Sequence, residues 1–269
     1  MADSGGGNAG PWKIELYFDC LSPFSYLAFT VLTRYEELWG IELELKPFLL
    51  GGVMAATGNT PPGARPWAGA TMRVSAQDME RTKRHFNMPS MLDMPGNFFG
   101  PDGPADKRGL ARDLRYMRTL AALRRLHPAT AGGDAGRGAA VLRDGARGVF
   151  EHIWADADAR DGAGNVAMSE AALQDILVRN TALGVAEAAE VVAAHNAPET
   201  KAALKATVAE AVERGAYGAP FIVLCRRQQR EGEDEEHVFF GSDRFEQLAF
   251  VAGLPWLSPD PKRPSVAKL

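Results

Sequence analysis

Between Lys13 and Leu50 the chain reads strand, helix, strand, and that unit sharply limits the folds open to it. In "KIELYFD" the apolar Ile14, Leu16 and Phe18 alternate with Lys13, Glu15 and Tyr17, the pattern of a half- or fully buried strand. Leu27, Val31, Leu32, Tyr35 and Leu38 then fall at helical spacing between Pro23 and Trp39, with Gly40 in the usual stop position. "IELELKPFLL" alternates again. A helix joining two strands this closely makes them parallel neighbours.

The far end of the chain supplies the other half. "ETKAALKATVAEAVERG" reads as a helix ending at Gly215. "APFIVLC", a charged stretch and "VFFG" form a hairpin with a long polar tip, and "SDRFEQLAFVAG" is a helix capped by Ser242 and Gly253. The order β-α-β … α-β-β-α is that of a thioredoxin-like α/β fold.

The middle, from about residue 70 to 198, shows helical periodicity and no convincing strand. Its clearest helices are "GLARDLRYMRTLAALRRL", "DGARGVFEHIWADA", "SEAALQDILVRNTAL", started by Ser169, and "VAEAAEVVAAH". The domain reading is therefore a thioredoxin-like domain of residues 11–66 and 199–257, interrupted by an all-helical insertion at 67–198. Residues 1–10 are a disordered arm and 258–269 a tail. "GGVMAATGNTPPGARPWAG" is expected to be loop.

Composition excludes several function classes. A net charge of −4 argues against a nucleic-acid surface, and no apolar stretch is long enough for a membrane span. The N-terminus lacks the basic and apolar regions of a secretory signal. Two cysteines, Cys20 and Cys225, make no disulfide framework, and the five histidines show no ligand spacing, so no metal is expected.

In the predicted sheet the end of the first strand meets the start of the third, at Ala219-Pro220. A proline opening an interior strand gives up a ladder donor; it frees the Ala219 backbone for a partner outside the sheet, across an expected cis bond. Cys225 falls at the opposite end from Cys20, so no disulfide is expected.

Ser22 precedes Pro23 and is the natural N-cap of the first helix. "SPFS" has the form of a redox C-x-x-C with hydroxyls in place of thiols. A plain capping role is one reading. The other uses the same geometry: a helix N-terminus stabilises an anion, and a serine there can hydrogen-bond a sulfur that a ligand brings.

"LYFDCLSPFSYLAF", "LLGGVM", "GNTPPG", "GAYGAPF" and "FGSDRFEQL", in order and at matching separations, resemble the kappa-class glutathione transferases. The resemblance runs from Ile14 to Trp256 and is weakest between residues 127 and 168. It implies that glutathione is the co-substrate and that Ser22 hydrogen-bonds its sulfur. Ala219, before Pro220, would pair with the cysteinyl backbone; Ser242 and Asp243, with Arg244 as an accessory, would take the γ-glutamyl end; Asn59 would approach the glycyl end. Where the family usually carries a lysine before a glycine, this chain has Ala68, with Arg65 as a substitute near the glycyl carboxylate.

The reaction implied is conjugation of the thiolate to a small hydrophobic electrophile, with lipid-hydroperoxide reduction as a second activity. A homodimer is implied as well. The alternatives are a glutathione-dependent isomerase of the 2-hydroxychromene-2-carboxylate type and a non-catalytic glutathione- or peptide-binding adaptor. A dithiol-disulfide oxidoreductase is the reading these residues fit least, because S-x-x-S cannot cycle.

Ser25 is expected to cap or pack within the first helical turn, with a catalytic role as the alternative, and Cys20 to be a buried small residue, with a nucleophile as the alternative. Arg108, Arg112, Arg115 and Arg118 read as one solvated helical stripe, with an anion-lined cleft as the alternative, and "NMPSMLDMPGNFFG" as apolar lining for the electrophile pocket. The terminal Ala267-Lys268-Leu269 is a variant of the S-K-L address, implying a peroxisomal import receptor as partner and a peroxisomal location, with mitochondrion or cytoplasm as alternatives.

Overall fold

β1 (Lys13–Phe18) is an interior strand of the sheet, with β2 (Glu42–Pro47) parallel on one side and β3 (Phe221–Arg226) antiparallel on the other. β4 (Glu235–Phe240) pairs antiparallel with β3, giving the order β2-β1-β3-β4. This computed structural model describes residues 11–60, 68–99, 109–129, 135–226 and 235–263. The expected thioredoxin-like arrangement is present. The arginines 65 and 108, the terminal tripeptide and the tip of the hairpin lie outside the described residues.

Both faces of β1 are covered. Ile14, Leu16 and Phe18 are buried in the large core, and Tyr17 in a smaller cluster with Phe48, Phe221 and Val223. Glu15 shares the Tyr17 face and is kept ionised by Lys46, whose ammonium lies 2.9 Å away. Burial pushes the Glu15 carboxyl up, but Lys46, with Lys13 and Arg214, outweighs this and holds it at about 2.

α1 (Pro23–Trp39) begins at Ser22, whose side chain accepts from the Ser25 N–H, and ends at Gly40 with φ 60°. Its buried face includes the expected Leu27, Val31, Leu32 and Tyr35, but Leu38 is exposed. Trp39 is buried instead, donating to the Pro255 carbonyl at 2.8 Å.

The stretch expected to be loop after β2 contains α2 (Leu50–Thr57). Two glycines make it a poor helix in isolation. Tertiary contacts override that: Gly52 packs where an added Cβ would stand 3.4 Å from Val208, and the Leu50 N–H donates to the Asp19 carboxylate at 2.9 Å. Val208 belongs to α8 (Pro198–Glu213), which covers the Tyr17 face of the sheet.

Between them run α3 (Ala68–His85), α4 (Arg115–Leu126), α5 (Ala135–Trp154), α6 (Glu170–Asn180) and α7 (Val185–Ala193). Ser169 caps α6 as expected, accepting from the Ala172 N–H. The arginine stripe is broken: Arg112 lies on a separate 3-10 turn, and α4 starts only at Arg115. The Asp113 carboxylate accepts from the Arg115 N–H at 3.0 Å, and such a local bond competes with helix continuation.

The helices share the core of the sheet. Phe150 of α5 sits against Phe18, Tyr26 and Phe29, with ring centroids 5.2–5.6 Å apart. Met88 and Met91, expected to line a pocket, are buried in this core, whereas Met94 is exposed.

The Ala219-Pro220 bond is cis, as expected. Cys225 pairs opposite Lys13, at the far end of the sheet from Cys20, and both thiols are free. α9 (Phe245–Ala252) stops at Gly253 as expected, but its N-cap is Arg244, without a side-chain cap. Gly241, at φ 93°, turns the chain so that its N–H reaches the Pro220 carbonyl at 3.1 Å. That turn takes up Ser242, so Ser242 does not cap the helix.

Candidate active site

Ser22 stands where β1, α1 and the cis-proline loop converge. Its Oγ accepts from the Ser25 N–H at 3.2 Å and donates to the Ala219 carbonyl at 3.2 Å. The hydroxyl therefore bridges the helix N-terminus and the residue before the cis-proline. The two Ser22 backbone groups are fixed as well: its N–H donates to the Asp19 carbonyl and its carbonyl accepts from Ser25 and Tyr26. Pro23 has no N–H, and the Phe24 N–H has no hydrogen-bond acceptor among the described residues. A helix N-terminus with an unpaired amide beside a hydroxyl suits a sulfur anion.

Ser25 is fully buried and its Oγ is unpartnered among the described residues, so it packs in the first turn while its backbone receives the cap. Cys20 is equally enclosed: burial, with the neighbouring Asp19, pushes its thiol well up, which suits a structural residue and not a nucleophile. Its backbone is held by the helical insertion, the N–H donating to Met117 Sδ at 3.4 Å and the carbonyl accepting from Trp154 Nε1 at 2.7 Å.

Asn59, just past α2, donates to the Tyr217 carbonyl at 2.6 Å, which places it beside the Gly218-Ala219 loop. The Tyr217 and Phe240 rings are 4.2 Å apart, and a Cβ on Gly218 would come within 2.9 Å of Phe240. An added side chain there would have to displace the Phe240 ring. The Gly241–Pro220 bond brings the 241–243 turn to the same cis-proline; Ser242 is buried, and exposed Asp243 pairs with Arg244 at 3.1 Å. Ser22, Asn59, Ala219, Pro220 and the Ser242–Arg244 segment are thus linked around one loop.

Two features were not read from the sequence. Asp19 is buried and accepts from the Leu21 N–H at 3.0 Å, the Leu50 N–H at 2.9 Å and the Tyr116 hydroxyl at 3.3 Å. Burial raises its carboxyl to about 6 against the pull of those donors. A carboxylate ending a buried strand immediately before a helix start was the available signal. The second is a cavity of about 380 Å³ between α5 and α6, lined by Tyr26, Glu151, His152, Arg179 and Asn180. It contains none of the residues expected to bind glutathione, but Ser90, from the stretch expected to line the electrophile pocket, lies on its wall.

Residues 13–251 match the DSBA-like thioredoxin domain family. The chain is 30% identical to human glutathione S-transferase kappa 1 over 252 residues, 93% of this chain and 95% of that protein. It is 29% identical to the rat protein of the same name, again over 93% and 95%. In structure it is similar to a 2-hydroxychromene-2-carboxylate isomerase, with a TM-score of 0.60 and 19% identity, covering 90% of this chain and 94% of that one. Matched along nearly its whole length, and built around a serine at the N-terminus of α1 facing a cis-proline, the chain belongs to the DSBA-like thioredoxin-domain family and, within it, to the kappa-class glutathione S-transferases.

Proposed function

We propose that this chain conjugates the thiolate of glutathione to small electrophiles at Ser22. The observation that carries the reading is the placement of the Ser22 hydroxyl, 3.2 Å from both the Ser25 amide of α1 and the Ala219 carbonyl. The cysteinyl N–H of glutathione takes the Ala219 carbonyl as an added strand would, and the hydroxyl turns to the sulfur. The thiol proton leaves to solvent, and the α1 N-terminus and the Ser22 hydroxyl hold the anion. Asp243 meets the α-ammonium of the γ-glutamyl unit beside Ser242, and Asn59 lies toward the glycyl end. Sulfur then attacks the electrophile's carbon, a C–S bond forms and the leaving group departs.

The same thiolate attacks the distal oxygen of a lipid hydroperoxide, releasing the alcohol; a second glutathione then yields the disulfide and water. The protein acts as a homodimer.

An assay with glutathione and a chloronitrobenzene tests the main activity. Chloride release with thioether formation is expected. A ring-opened aromatic carboxylate supplied in parallel should not isomerise faster than it does uncatalysed. Isomerisation without net use of glutathione would replace the transferase reading with the isomerase one. Binding without either reaction would leave an adaptor.

The proposed location is the peroxisome, addressed through Ala267-Lys268-Leu269. Deleting Lys268 and Leu269 should leave folding and activity intact while an N-terminally tagged protein moves to the cytosol. A full-length protein that never colocalises with a peroxisomal marker would rule out the address.

A further inference from the structure

We propose that Asp19 is the positioning residue of the site, one carboxylate that ties the turn carrying Ser22 to the helix carrying Asn59 and to the helical insertion. The proposal rests on the glutathione reading above and names what sets its geometry. One oxygen, Oδ1, accepts from the Leu21 N–H at 3.0 Å and from the Tyr116 hydroxyl of α4 at 3.3 Å. The other, Oδ2, accepts from the Leu50 N–H at 2.9 Å, the first amide of α2. The Asp19 carbonyl takes the Ser22 N–H at 3.0 Å. α2 ends at Gly58, and Asn59 follows it onto the cis-proline loop. The thiol end and the glycyl end of the tripeptide are therefore spaced by a single buried side chain.

Asp19 has no basic partner among the described residues; the groups facing it are the Tyr116 hydroxyl from α4, the Cys20 thiol on its own turn, and backbone amides from that turn and α2. Its carboxyl sits at about 6, above its ordinary value. With the folded value raised, the folded state binds more protons than the unfolded one between the two values, so stability falls as pH rises through that window. Donors from the Ser22 turn, from α2 and from α4 converge on the two oxygens of Asp19, which points to a role in holding the geometry of the site. Ionised, it offers acceptors to all three donors; protonated, one oxygen becomes a donor and an amide loses its partner.

Asp19→Asn separates the two oxygens. The amide oxygen can keep Leu21 and Tyr116, but the NH₂ group then faces the Leu50 N–H, donor against donor. The loss should fall on α2 and Asn59 and spare Ser22. Expected in Asp19→Asn are faster hydrogen exchange across residues 50–57 than across α1, a glutathione KM raised about ten-fold, and kcat changed less than about three-fold, the scale of one lost charge-assisted bond.

S-Methylglutathione, which has no thiol to titrate, reads the pH dependence. Its binding to the wild type should weaken as pH falls through about 6 and should be flat with pH in Asp19→Asn. Tyr116→Phe removes a donor from Oδ1 and should move that wild-type limb to higher pH, which keeps the proposal testable if Asp19→Asn does not fold. Unchanged exchange in α2 together with an unchanged KM in Asp19→Asn would overturn the proposal, as would a limb that Tyr116→Phe leaves in place. Should the wild type bind no glutathione, the functional reading fails, while the exchange comparison still decides the coupling.

Discussion

Removing the Ser22 hydroxyl, as Ser22→Ala, should lower kcat and kcat/KM together by about ten- to over a hundred-fold while glutathione still binds. The hydroxyl is buried beside the N-terminus of α1, so the hydrogen bond proposed to the sulfur anion would be charge-assisted and worth roughly 1.5–3 kcal/mol. In the proposed binding mode the bond is made to the ionised sulfur, whereas the rest of glutathione falls to Ala219, Ser242, Asp243 and Asn59. Binding is thus spared. The same change removes an N-cap and should cost about 1 kcal/mol of stability, which a thermal melt separates from the kinetics. A variant with wild-type turnover would return Ser22 to a capping role alone.

The larger change in chemistry is expected from Ser22→Cys with Ser25→Cys. One thiol then occupies the N-cap, close to the Ser25 and Phe24 amides, where the helix terminus favours its anion. The other occupies the fully buried Ser25 position, one turn on, where the native Oγ already has no hydrogen-bond partner among the described residues. The double variant should attack disulfides through its N-cap thiolate and release them through the second thiol. Under oxidising conditions the N-cap thiolate would attack glutathione disulfide, keeping one half as a mixed disulfide and releasing the other as thiol, and conjugation should fall to background. Insulin-disulfide reduction and chloronitrobenzene conjugation, measured side by side, check both halves. Cysteines that stay inert and titrate like free thiols would show that residues 22 to 25 do not create an anion site.

What could be read in the sequence followed from local physics. β1 and α1 announce themselves by period, Ser22-Pro23 by capping, and Ala219-Pro220 by the cost of a proline at an interior strand. α2 was hidden because its glycines argue against a helix, and its support comes from Asp19 and from Val208 on α8. Ser242 looked like a cap because nothing in "FGSDRF" reveals that the Gly241 amide reaches back to Pro220. The arginine stripe failed on one side chain, Asp113, which ended the 3-10 turn's continuity with α4. Asp19 illustrates the general limit: its partners Leu50 and Tyr116 lie 31 and 97 residues away, beyond any periodicity.

The central claim is that the N-terminus of α1 and the Ser22 hydroxyl hold glutathione's sulfur as an anion. The ultraviolet thiolate band of glutathione bound to the wild-type protein, followed against pH, tests it most directly. The bound thiol should ionise at least about one unit below the ordinary thiol value of about 8.5, and Ser22→Ala should move it back up. A bound thiol that ionises like free glutathione, or at the same pH in both proteins, would contradict the claim.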